Sequence, residues 1–488
     1  LDVLATSTDN ASPNIFDVNF SEFEIGALAT SATANSNTST QISGEIDAPT
    51  ATVAATSNKT ADATTTVLKA AILSLDGVLL SGIVDALPED LPIPVVPPFD
   101  TVSEATIDGT TEAVLGAGAE VTTTGAFNLT ATSNNSATSD TTGGGAIVIN
   151  VSDSGSQALV SGATKIGIDE GATIDVNSLT TTAFADNDAT ADSAFIGLAG
   201  VNVQLADVNA TTNHNVVARL GPGEGSEPTG EIGDLTVDIG GIVFEAISDN
   251  DATVNQVDID ATGVTVEIVD PKAKADGSTL VHLGGEFGIS AAAFEAVATS
   301  NNAATSDALS VEFDAVDVEI LSRASETSHR TAAIIGDEAD LDVSGSLALN
   351  ANSVNSASTG ESAPFDLSAV NVSIVEAEAL AGGSTEASIG EGVVLDTAAL
   401  ELNATSNSDA TADAMFTGLG GILVDVTKPI AQTSHQTATS IGPQPGVAPS
   451  GALEGTINVD GGPVSMNALS TNTAYVHDVD LVIGGITV

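Results

Sequence analysis

The sequence predicts an all-β fold: a parallel β-solenoid or β-helix of about nine ~52-residue repeats, built as wide flat coils with loop insertions. Three observations predict it. Residue types alternate with a period of two over long stretches, which is the strand signal. The alternating unit recurs at a near-constant interval, which is the mark of a repeat array. The composition is rich in small apolar residues and poor in aromatics, which suits coils that bury themselves against their neighbours.

The clearest unit is Leu129-Thr130-Ala131-Thr132-Ser133-Asn134-Asn135-Ser136-Ala137. Further copies begin at Ala5, Ala55, Ala183, Ala246, Ala298, Ala351, Ala404 and Ala468, each with Ala again six residues on. Two residues in, all have Ser except one with Ala185. Four residues in, Asn135, Asn187, Asn250, Asn302, Asn355 and Asn472 recur. The unit therefore reads A-x-S-x-N-x-A, with Ala, Ser and Asn on the inward parity. Stacked Asn side chains can hydrogen-bond along a ladder when like positions are adjacent, ~4.8 Å apart. Two geometries fit the repeat: one wide coil of ~52 residues, or two coils of about 26. The Asn ladder favours the single coil.

Each unit continues through a Gly-rich turn, such as Gly143-Gly144-Gly145 or Gly197-Leu198-Ala199-Gly200, into a Val/Ile strand. Ile-Gly or Leu-Gly stops follow, as at Leu115-Gly116, Ile166-Gly167, Leu220-Gly221, Ile335-Gly336 and Ile389-Gly390, where Gly suits a positive φ. A short strand such as Thr173-Ile174-Asp175-Val176 leads to the next unit. In the second strand the apolar parity slips: Val201, Val203 and Leu205 are in phase, then Val208 and Ala210 fall on the other parity. The slip predicts a bend or bulge near Ala206-Asp207. Residues 1–488 thus read as a single array carrying three insertions, at 79–100, 221–233 and 442–455. The last two are Gly/Pro loops that follow the same point in the unit and project from one edge. The first is apolar and Pro-rich, which a central sheet does not accept. Its Leu91, Ile93, Val95, Val96 and Phe99 are candidate contacts to a neighbouring molecule or a cap on the coils. Only Leu68 to Leu87 offers a helical period. The chain begins and ends inside a unit, which predicts a segment of a longer array or a protomer completed by a neighbour.

With 66 acidic and 9 basic residues the formal net charge is -57. Nucleic acid is a poor partner, because binding it requires cationic neutralisation of phosphates. No apolar run reaches 18 residues, so no membrane insertion is expected. There is no cysteine and hence no disulfide. No nucleophile motif, phosphate loop or dinucleotide fingerprint is present, and no clustered bases and acids of a polysaccharide-acting β-helix are visible, so the chain reads as no enzyme and needs no cofactor.

His214, His329 and His435 recur in the frame Thr-x-His on alternate units, with Gly277 and Gly383 between them. Two strand spacings, ~10 Å, separate them, too far for one zinc. They read as satisfied or edge histidines alternating with Gly for packing room. Asp186-Asn187-Asp188 and Asp249-Asn250-Asp251 offer oxygen ligands suited to calcium, without an EF-hand loop or a Gly-Gly-x-Gly-x-Asp nonapeptide.

The run Ala131 to Thr138, Gly143 to Gly145, Ile147 to Val151 and Ile166 to Ile174 resembles the repeats of leukotoxin-type filamentous adhesins, large bacterial surface proteins. It is loosely similar to filamentous haemagglutinin, without the shorter repeat of that family. The resemblance implies an extracellular β-solenoid, displayed on a bacterial cell surface or built into fibres. The expected role is a structural or adhesive rod or filament, with self-association end to end or within a longer array. A glycan- or surface-binding module is the alternative.

Overall fold

Small and β-branched residues in strict alternation give strands, and among the described residues the chain forms strands and turns and no helix. The computed structural model describes residues 1–24, 28–74, 100–221, 233–284, 287–360, 364–442 and 455–487. Residues 79–99, 222–232 and 443–454 of the three insertions lie outside these, and with them Leu91, Ile93, Val95, Val96 and Phe99. Over Leu68 to Ser74 the helical period is overruled, because these residues belong to the strand Ala51–Ser74; the rest of that stretch, 75–87, lies outside the described residues.

The strands pair in parallel, and the register decides between the two coil geometries. Ala131 pairs with Ala55 on one side and Ala183 on the other. The column continues through Ala246, Ala298, Ala351, Ala404 and Ala468, and back to Ala5. Adjacent chain segments are therefore a whole unit apart, not half a unit, and each unit is one wide coil. The arrangement fits a β-solenoid.

Each coil folds back on itself into two facing layers. Ser133 bonds Thr164 at 2.6 Å, and Ser156 bonds Ser139 at 2.9 Å, so the first arm of the strand Ala126–Ile168 lies over its second arm. The short strand Thr173–Val176 closes the open end. That end is wide and is filled by Phe127, Leu129, Ile166, Ile168, Ile174 and Val176. Toward the bend the layers converge, and the core thins to Ala137, Ala158 and Val160. A close-packed interior accepts only small side chains where two sheets meet so closely, which is why the recurring positions are Ala, Ser and Asn.

The thin zone is polar and pairs with itself. Asn135 donates to Asn187 at 2.7 Å, Asn187 to Asn250 and Asn250 to Asn302 at 2.8 Å, and Asn302 to Asn355 at 2.9 Å. The second amide hydrogen of Asn135, Asn250, Asn302 and Asn355 goes to the Ser two residues earlier. Asn472 is not in this row: Ser408 stands between it and Asn355, and Asn472 is exposed. The same Ser side chains bond Thr across the core, in the pairs Ser57–Thr111, Ser133–Thr164, Ser248–Thr279, Ser300–Thr331, Ser353–Thr385 and Ser406–Thr437. The coil with Ala185 in place of Ser has Val216 at the matching position, and both are buried in the apolar core. A lost hydroxyl is thus matched by a lost hydroxyl, and no polar atom is stranded.

Two expectations about the backbone fail. There is no bulge near Ala206-Asp207, where pairing on both sides is continuous. Asn202, Gln204, Ala206, Val208 and Ala210 share one inward parity, so it is the residue type that changes there and not the backbone. Of the Ile-Gly and Leu-Gly stops, among them also Leu283-Gly284 and Ile441-Gly442, only Gly221 and Gly442 have positive φ. At Gly336 and Gly390 the reason is proximity: an added Cβ would lie 2.9 Å from the Leu283 carbonyl oxygen and 2.8 Å from the Asp337 nitrogen of the neighbouring coil.

Replacing Asn250 by Ala strands the Asn187 donor and the Asn302 acceptor inside the core. The expected loss is about 2–4 kcal/mol. Asn301→Ala, on the exposed parity one residue before the ladder position of the next coil, should stay within about 0.5 kcal/mol. Urea unfolding of both variants checks the difference.

Candidate functional site: a buried carboxylate column at the bend

In the middle of the array, where the coils turn from the first arm to the second, the usual inside and outside are exchanged. In the coil running through 254–269 the inward positions are Gln256, Asp258, Asp260, Thr265 and Glu267. The outward ones are Val257, Ile259, Val264 and Ile268, all substantially exposed. The next coil repeats this with Ser310, Glu312, Asp317 and Glu319 inside and Leu309 and Phe313 outside. The following one has Asp366, Ser368, Asn371 and Ser373 inside and Leu367 outside. On the other flank Asn202 and Gln204 are inside, with Ile196 and Leu198 outside.

Parallel register stacks these positions. Asn202, Thr265, Asp317 and Asn371 form one file, and Gln204, Glu267, Glu319 and Ser373 the file beside it. From the opposite arm, Asp260 pairs with Glu312 and Glu312 with Asp366. The carboxylates are concentrated in two adjacent coils. Ligand oxygens of Asp258, Asp260 and Glu267 lie within 4.8 Å of one another, as do those of Glu312, Asp317 and Glu319. The column is closed by apolar groups. Phe195 stands in register with Asp258 on one side, and Leu423 with Asn371 on the other.

The flanking amides and hydroxyls aim the carboxylates. Asn202 donates to Asp260 at 2.5 Å, Gln204 to Asp258 at 2.6 Å, Ser310 to Glu312 at 3.0 Å and Asn371 to Asp317 at 2.9 Å. In each case the second carboxylate oxygen is buried with no amide or hydroxyl donor, as are both oxygens of Glu267; among themselves the carboxyls of Asp258 and Glu267, and of Glu312 and Asp317, lie within hydrogen-bonding reach. The amide oxygens of Gln204 and Asn371 also have no donor, and both residues are fully buried.

Burying ionised carboxylates without counter-charge costs several kcal/mol each, so such groups take up protons or cations. Burial pushes Asp258 up to about 7 and Asp260 up to about 8, with the charge of Glu312 adding to both. Burial also holds Glu267, Asp317 and Glu319 well above the usual carboxylate range, reinforced by neighbouring carboxylates. Arg323 lies two inward positions beyond Glu319. Its guanidinium donates to the carbonyls of Gly360 at 3.1 Å and Asp413 at 2.5 Å, and it feels the charges of Asp307, Asp413 and Glu319.

The recurrent histidines sit elsewhere, in the thin zone. Each Nε2 meets a Thr of a neighbouring coil: His214 with Thr164 at 2.9 Å, His329 with Thr279 and His435 with Thr385 at 2.8 Å. They alternate in register with Gly162, Gly277 and Gly383. Those glycines have φ between 108° and 119°, and at Gly277 a Cβ would lie 2.2 Å from the His214 carbonyl oxygen. The alternation is thus set by backbone conformation as well as by room for the ring. Asp186, Asp188, Asp249 and Asp251 point outward from the ladder strands, stacked Asp186 on Asp249 and Asp188 on Asp251.

Sequence reasoning passed over the bend carboxylates, although a signal was present. The parity slip from Val201-x-Val203 to Val208-x-Ala210 marks where apolar residues leave the inside. The residues between the valines are polar in successive units: Asn202, Thr265, Asp317 and Asn371.

Compared with family models, with curated proteins and with solved structures, the chain matches none of them.

Burial pushes His329 down to about 4. The unfolded chain therefore binds this proton first as pH falls, and the histidine's contribution is complete above pH ~6.5 and lost on the way to ~4. Between pH 7 and 4.5 the wild type should lose about 2–3 kcal/mol more than His329→Gln. Urea midpoints at the two pH values measure the difference.

Proposed function

We propose that the chain is a stretch of an extracellular structural or adhesive β-solenoid, of about nine coils of ~52 residues, that builds a rod or filament by coil stacking. The observation that carries this reading is the unbroken column of like residues from Ala5 to Ala468. Such a column has no geometric limit to its length. Its partner is another length of the same material, whether further repeats or a second copy. No catalytic role is assigned. Display on a bacterial surface fits the resemblance of the repeats to filamentous adhesins. It also fits the scarcity of Lys and Arg, which leaves few sites for trypsin-like proteases.

One observation favours the second reading, a surface-binding module. The outer side of the bend carries a row of exposed apolar residues, among them Ile196, Leu198, Ile259, Phe313, Leu367 and Ile422. Contiguous exposed apolar surface marks contact sites. In this reading the edge is the adhesive face and the coils are its support.

Dimensions make the two readings testable. With ~4.8 Å between strands, nine coils rise only ~43 Å, while an arm of some 20 residues spans ~65 Å. The isolated chain is therefore a block wider than it is tall. Negative-stain electron microscopy should show either such blocks or fibres of constant width near 65 Å, formed by stacking. Fibres joined side by side along the bend would favour the adhesive edge. Particles lacking a 4.8 Å strand repeat in diffraction would sink the solenoid reading.

A further inference from the structure

We propose that Asp258, Asp260, Glu267, Glu312, Asp317 and Glu319 form a buried site for one or two calcium-class divalent cations, which clamp two adjacent coils at the bend. The inference rests on the local geometry and not on the rod reading.

Three independent features point to a cation. Each triad of oxygens spans at most 4.8 Å, the separation of opposite ligands around an ion bonded at about 2.4 Å. Magnesium, bonded near 2.1 Å, prefers a tighter octahedron and retains its waters. The donors are all oxygen, which excludes the nitrogen and sulfur sets of structural zinc. Next, the hydrogen bonds leave one oxygen of Asp258, Asp260, Glu312 and Asp317 bonded to an amide or hydroxyl and the other facing only its fellow carboxyls. Outer partners that orient the ligands of a metal have this form. Finally, the neutral Gln204 and Asn371 present amide oxygens without a donor at the two flanks of the column. A hard cation accepts all of these oxygens.

Burial sets how the ion enters. No ligand of the six is open to solvent, so binding is coupled to the stacking of the two coils. A chelator added to the folded protein is then a poor test.

The full chain should be unfolded in denaturant with chelator and refolded in parallel with chelator and with 1 mM calcium. Metal content is then read by mass spectrometry after desalting. One or two calcium ions per chain and a melting temperature several degrees higher than in the chelator sample are expected. The variant Glu267→Gln with Glu319→Gln should fold without calcium at least as well as the metal-free wild type, because it removes two buried charges. It should also lose both the bound ion and the calcium-dependent shift. As a control, Asp186→Asn with Asp249→Asn, on the exposed ladder face, should keep both. Equal melting temperatures and no retained calcium in the wild type would overturn the site in favour of protonated carboxyls. Retention of calcium by the Gln variant, or its loss in the exposed-face variant, would place the ion elsewhere and overturn it equally.

Discussion

The structure depends on register. A coil of one repeat places every residue beside its own counterpart, one strand spacing along the axis. Whatever a position does, it must do with a copy of itself. Ala can stack on Ala indefinitely. Asn can too, because one amide carries both donor and acceptor, and the row from Asn135 to Asn355 uses both at each step. Histidine at successive levels does not occur among the described residues: from Gly162 to His435 the levels alternate Gly with His, and the glycines take a left-handed backbone that brings carbonyls close. Where one partner of a cross-core pair changes, as at Ala185, its opposite changes too, here to Val216.

The second constraint is taper. Side-chain volume falls from Phe127 and Leu129 at the wide end to Ala137 in the middle, where the two layers lie closest, and rises again toward the bend with Gln204, Glu267 and Glu319. At the bend itself the pattern inverts. Polar groups enter the interior, and the β-branched and aromatic residues move outside, where Val264 stacks on Val316 and Ile268 on Ile320. Those outer files support strand pairing as cross-strand neighbours do in any sheet. The inner files carry the electrostatic tension of the molecule. Stacking like on like suits amides, but carboxylate on carboxylate concentrates negative charge in low dielectric. The flanking coils dilute it with Asn202, Gln204, Asn371 and Ser373.

Much of this was legible in the residues. Alternation, the nine Ala starts and the interval between them contain the parallel all-β character and the inward parity of Ala, Ser and Asn. The Asn row argued for one coil per unit, and the register has that geometry. At the bend the assumption that apolar residues face inward fails. On that assumption Val201 and Val208 required a bulge, whereas Asn202, Gln204 and Val208 simply share a face. The Ile-Gly stops suggest a special backbone conformation, whereas at Gly336 and Gly390 the glycine answers proximity to the preceding coil.

The sequence by itself determined what repeats: the period, the parity and the identity of the stacked residues, because periodicity is a one-dimensional property. Only the tertiary structure decided what faces what across the coil. Ser133 meets Thr164, and Asp258, Asp260 and Glu267 converge, because the chain folds back at a bend whose place depends on how two layers pack. Contacts between arms join residues of different spacing on different walls. No single period along the chain encodes them.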